Sequence, residues 1–167
     1  MATTSRRRSA SAGAPQVGAL LALIDEAFDR KAWHGTNLRG SLRGLDARQA
    51  AWRPAPGRHN VWELTVHAAY WKYAVRRRLT GERRGSFAEK GSNFFARPAP
   101  GKSWEADVAL LVREHALLRE EVARLADGDL GQRVGGSRWT RAAMLRGIAS
   151  HDLYHCGQIQ ALKRLMR

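Results

Sequence analysis

Residues 60–81, NVWELTVHAAYWKYAVRRRLTG, decide the fold. Leu64, His67, Ala68, Trp71, Val75 and Leu79 recur at steps of three and four, which places them on one face of an α-helix. Asn60 is a good N-cap. Glu63 follows three positions later, where each of the two side chains can accept from an unpaired backbone N–H of the first turn. Gly81 supplies the stop, so the pattern predicts a helix ending at about Leu79 or Thr80, roughly 30 Å long. His67 falls about two turns in, on the apolar stripe, and an imidazole facing a core needs a partner.

The same periodicity extends in both directions. Downstream, Trp104, Val108, Leu111, His115, Leu118, Val122 and Leu125 mark a helix behind Ser103 as N-cap. A last helix starts near Trp139 or Thr140, with Met144, Ile148, His151, His155, Ile159, Leu162 and Met166 facing inward. Upstream, Val17, Leu20, Leu21, Ile24, Ala27 and Phe28 mark a first helix that breaks by Gly35. A short helical piece follows from Asn37 as N-cap. Asp46 and Gln49 have capping-box spacing for a further turn, before Pro54 and Pro56 close the region. No segment alternates as a strand would. Four long amphipathic helices in one small domain predict an all-α fold, a four-helix bundle. Between Gly81 and Lys102 there is no sustained period, only turn formers and the aromatics Phe87, Phe94 and Phe95. A crossover this long has a use in carrying the chain back along a helix, so that helices two and three run parallel, with Phe94 and Phe95 pinning it to the bundle.

The 167 residues suit one domain, read as 17–167, behind a disordered basic tail at 1–16. No run of 18 apolar residues suggests a membrane span. Cys156 is the lone cysteine, so no internal disulfide forms, and a cytoplasmic location is the expectation. It follows His155 directly and points away from that face, which favours a packed thiol. The formal net charge is +14, of which the tail's Arg6, Arg7 and Arg8 carry three. The basic residues are scattered, with clustering only at Arg76–Arg78 and Arg83–Arg84. That predicts a solvated face able to bind nucleic acid nonspecifically.

His151 and His155, in SHDLYHCGQ (residues 150–158), sit four apart on one helical face, a natural chelate for a divalent cation. In a bundle, His67 on helix two can meet them at one height. Three neutral imidazoles leave an open coordination position, as catalytic centres do. The alternative is three core histidines, each hydrogen-bonded to a carbonyl or carboxylate. Glu63, Asp152 or Gln158 are candidate acceptors for the second ring nitrogens. Tyr154 is either a proton donor near substrate or an amphipathic interface residue, and Gly157 is expected to permit close helix approach. His115 reads as a packing or pocket-lining residue. His34 sits at the helix break, and His59 leads into helix two, about 12 Å along the axis from His67 and too far to share an ion.

The stretches HNVWELTVHAAYWKYAV and HDLYHCGQIQALKRL, with the AWHG break, a short helix and WRPAPG, resemble the DinB-like (DinB/YfiT) superfamily, regarded as metalloenzymes. The likeness runs from Val17 to the end of the chain. Its most specific part is one histidine on helix two with HxxxH on helix four. The resemblance implies a four-helix bundle of up-down-down-up topology, often a homodimer, with His67, His151 and His155 as ligands of zinc, nickel, iron or manganese. It also implies, from characterised relatives, thiol-dependent transfer or isomerisation with low-molecular-weight thiols such as bacillithiol or mycothiol.

The leading expectation is therefore a metal-dependent enzyme that activates a thiol or water against a small-molecule substrate, by thiol transfer or hydrolysis. The alternative is a non-catalytic metal-stabilised bundle, stress-linked and binding nucleic acid through its basic surface. A third is a plain bundle whose histidines are satisfied core residues.

Overall fold

The computed structural model describes residues 16–135 and 137–166. Residues 1–15 of the expected basic tail lie outside the described residues. The described residues are all-helical: α1 (Gln16–Phe28), α2 (Leu38–Ser41), α3 (Ala47–Ala51), α4 (Val61–Thr80), α5 (Trp104–Ala123) and α6 (Arg141–Leu165), with a 3₁₀ turn at Asp127–Asp129 and no named strand among them.

The helix boundaries follow from capping. Asn37, Asn60, Ser103 and Thr140 each accept from the backbone N–H three residues on, and Asp46 with Gln49 forms a reciprocal capping box. Gly81 ends α4 in the left-handed conformation, φ 77°, which an L side chain rarely adopts. One expectation fails here. The Glu63 carboxylate does not return to the Asn60 N–H; it accepts from Arg53 at 2.6 and 2.8 Å and meets His59 Nδ1 at 3.0 Å. A buried carboxylate gains more from a bidentate guanidinium than from one neutral amide.

The first turns of α4 and α5 lie side by side. Trp62 Nε1 donates to Asp107 at 2.7 Å, and the Trp62 and Trp104 rings meet edge to face. Further along the same two helices, Arg76 approaches Glu114 at 3.8 Å. The crossover that this arrangement requires is packed on the bundle. Phe95 is buried, Phe87 stands against Tyr70 and Tyr73, and Arg97 reaches Asp107 at 2.5 Å.

Two apolar clusters form the core. One joins Phe28, Leu64, Leu111 and Ile159, and the other joins Ile24, Val75, Leu118 and Ile148. On every long helix, polar residues sit between those anchors: Asp25 on α1, His67 and Lys72 on α4, Glu114 and His115 on α5, and His151, Asp152 and His155 on α6. All of these but the half-buried His151 are buried, so the bundle carries a polar layer between two apolar halves. Burying such groups is costly unless each finds a partner, and most do. Lys72 donates to Asp152 at 2.5 Å with both side chains at most 1% exposed, and Asp25 takes Arg119 at 2.8 and 2.9 Å. No helix among the described residues is long and apolar enough to cross a membrane.

Candidate metal centre

Rigid helices bring three histidines together at the height of the polar layer. His67 comes from the second turn of α4. His151 and His155 project from adjacent turns of α6, as their i, i+4 spacing requires. The Nε2 atoms of His67 and His155 each lie 3.1 Å from His151 Nε2. One ligating atom from each of the three lies within 4.8 Å of the others.

The outer ring nitrogens fix two of the three tautomers. His67 Nδ1 is 2.9 Å from the Asn93 backbone carbonyl, which can only accept, so the proton sits on Nδ1 and Nε2 presents a lone pair. His155 Nδ1 donates to the Gln158 side-chain oxygen at 2.7 Å, with the same result. The Gln158 amide in turn donates to the Tyr154 hydroxyl at 3.2 Å. His151 Nδ1 is buried without a hydrogen-bond partner.

Burial keeps all three rings neutral. It lowers the His67 pKa to about 4, against a raising effect of the Asn93 carbonyl, with His155 and His59 lowering it further. It lowers His151 to about 3, aided by His155, His67 and Lys72. His155 is lowered by burial too, partly offset by its bond to Gln158. Lone pairs this close repel unless a cation sits among them. A shared proton answers one pair of nitrogens, whereas one divalent ion answers all three. Nitrogens held about 2.0–2.1 Å from one tetrahedral ion lie about 3.3–3.4 Å apart, close to the observed spacing. The donor set fits a transition metal.

A cavity of about 900 Å³ opens onto the cluster, lined among others by His59, Trp71, Phe94, Tyr154 and Gln158, with Arg58 also on its lining. Phe94 is sandwiched between His59 and His67, with centroid distances of 3.8 and 4.0 Å and nearly parallel planes. Trp71 presents an edge to His67 and donates its Nε1 to the Asn93 side chain at 3.0 Å. Asn93 thus holds a ligand candidate through its main chain and a cavity wall through its side chain. Its φ of 69° is one that Asn tolerates better than most residues.

The other singled-out residues separate from this site. Of the proposed acceptors, Gln158 serves His155, while Glu63 is held by Arg53 and His59, and Asp152 by Lys72. Burial alone would raise the Glu63 pKa, but the bonds from Arg53, His59 and the Arg97 backbone outweigh it and hold it at about 2. His115 stacks on Phe28 at 3.7 Å and lies 3.7 Å from Asp25, a packing role. His34 is exposed in the loop after α1, and His59 lines the cavity. The Cys156 thiol is buried and donates to the Thr36 carbonyl at 3.3 Å. Gly157 does not serve close packing, since a Cβ there meets nothing within 4 Å. Asn93 and Phe94 as supports of His67 went unread, because a loop without periodicity gives no register. The only local signal was an Asn after Gly91 and Ser92, a position where left-handed backbone is tolerated.

The sequence pattern of the DinB superfamily matches residues 15–159. A solved structure described as the conserved protein of locus from Enterococcus faecalis has the same fold. It aligns with a TM-score of 0.66 at 16% identity, covering 92% of this chain and 98% of that one. No curated protein matches the chain.

Proposed function

The chain belongs to the DinB superfamily, and from that premise we propose that His67, His151 and His155 hold one divalent transition-metal ion in a metal-dependent enzyme of thiol-transfer or hydrolytic type. The observation that carries the reading is the convergence of three neutral Nε2 atoms, two of them with the opposite ring nitrogen tied to an acceptor. Held by three neutral ligands, such an ion keeps its charge and supplies Lewis acidity that lowers the pKa of a thiol or water.

The chain's own residues provide the remainder. The Asn93 carbonyl and the Gln158 amide orient two of the rings, and Phe94 and Trp71 wall the cluster from bulk water. The Tyr154 hydroxyl, on the cavity lining, accepts from Gln158 and so keeps its own proton free to donate to a leaving group.

The test is elemental analysis of protein purified without a metal-affinity tag, comparing the natural chain with His151→Ala. About one equivalent of transition metal per chain, lost in the variant, is the expected result. No metal in the natural chain after reconstitution removes the proposal.

A further inference from the structure

A second cavity, about 770 Å³, lies between α4, α6 and the segment before α6, within the size range of small-molecule sites. Its lining includes the apolar side chains of Val75, Met144 and Ile148 and the rings of Trp71 and Trp139. Arg78 and Arg138 line it, and among the described residues no acidic side chain does. The Arg138 guanidinium lies 4.8 Å over the Trp139 ring, and that of Arg78 lies 5.8 Å over Trp71. Arg53, Arg97 and Arg119 each sit on a carboxylate, whereas Arg78 and Arg138 make no ion pair among the described residues. Arg78 spends one nitrogen on the Ala74 carbonyl, 3.0 Å away. Two cations without ion-pair partners among the described residues, set over aromatic faces in a cavity with apolar lining, match one kind of molecule: an anion with an apolar body.

Gly147 adds an independent observation. It lies inside α6 and lines this cavity, and a Cβ there would meet nothing within 4 Å. Glycine in a helix interior costs about 1 kcal/mol relative to alanine, and no packing neighbour requires it here. What its missing side chain leaves is cavity volume. The two cavities are also contiguous at their walls, because Trp71 and His151 line both.

We propose that this second cavity binds an organic anion with an apolar body, held by Arg78 and Arg138, and that such anions are the substrate class presented to the three-histidine centre. The second clause rests on the metal reading above, and the first does not. The anion's charged end meets the two guanidinium groups while its body lies along Trp71 toward His151.

The experiment is calorimetric titration of the full chain with 2-naphthoate, with neutral 2-naphthalenemethanol and with inorganic phosphate. Expected are saturable binding of naphthoate, an affinity at least about tenfold above that of the alcohol, and no competition by phosphate. Gly147→Leu fills the cavity while improving helix propensity, so it should weaken naphthoate by at least about tenfold with no loss of thermal stability. The Arg78→Ala/Arg138→Ala double variant should erase the preference for the anion. No binding, equal affinity for the alcohol, or undiminished binding by Gly147→Leu would overturn the site. Naphthoate binding by a chain that takes up no metal would leave the site standing and remove only the metal reading. In cobalt-loaded protein, naphthoate should shift the visible absorption of the ion. Binding without a shift would overturn the second clause alone.

Discussion

Replacing Gln158 with leucine isolates one hydrogen bond of the centre while keeping all three histidines. The Gln158 oxygen accepts from His155 Nδ1 at 2.7 Å, on a ring only 4% exposed. Leucine preserves volume and removes the acceptor, leaving a buried N–H either unpaired or moved to Nε2. The unpaired donor costs about 1–3 kcal/mol. Moving the proton to Nε2 instead uses the lone pair that the metal needs, so both routes weaken binding. Loss of such an outer partner reduces metal affinity about 10- to 100-fold, equivalent to about 1.4–2.7 kcal/mol and consistent with the cost of the orphaned donor. The assay is competition for zinc or cobalt against a chromophoric chelator at pH 7.5, with circular dichroism to establish that the helices persist. Gln158→Glu, which restores a stronger acceptor, should recover the affinity. Unchanged affinity in Gln158→Leu would refute the assignment of His155 as a ligand through Nε2.

Two further perturbations test the surroundings of the site. Glu63 has a pKa of about 2 in the fold against an ordinary 4.5, so its contribution is present above pH 4.5 and is lost as pH falls through 2. With these two values, the natural chain should lose about 2 kcal/mol more than Glu63→Gln between pH 7 and pH 3 in urea melts, and parallel acid limbs would contradict the Arg53 pairing. Lys72→Met strands the Asp152 carboxylate in the core and should cost about 3–5 kcal/mol at pH 7, less as acid neutralises it, while adding Asp152→Leu should recover most of the loss. A single-variant cost under about 1 kcal/mol would mean that water reaches the pair.

The long helices α4, α5 and α6 were legible because their apolar spacing is redundant over five or more turns, and Asn60, Ser103, Asp46 and Gly81 carry their cap chemistry locally. The histidine cluster was legible for the same reason: one face of α6 had to present His151 and His155 together, and a bundle brings α4 opposite. Pairings across long sequence separations were not legible. Asp152 belongs to Lys72, 80 residues away, and nothing in its neighbourhood distinguishes that partner from the adjacent His151. Glu63 was misread because a capping box and a salt bridge require the same residue, and the competition is decided by an arginine ten positions upstream. Gly157 was misread because a helical glycine looks alike whether a neighbour crowds it or solvent does.

The polar layer gives these pairings a common consequence for chemistry at the centre. Each of its carboxylates is answered by a cation: Asp25 by Arg119, Asp152 by Lys72, and Glu114 by the more distant Arg76 and Arg113. The histidines add no charge, because burial holds them neutral. A divalent ion at their Nε2 atoms would then be the uncompensated charge of the layer, with no ligating carboxylate to reduce it. Within a low-dielectric interior that field reaches whatever occupies the adjoining cavities with little screening. It would also favour anionic over neutral occupants, the same selectivity proposed for Arg78 and Arg138. With a divalent ion held there, two apolar halves around a layer of paired carboxylates would do for the site what a carboxylate-ligated centre cannot: they would leave more of the ion's charge to act on a bound molecule.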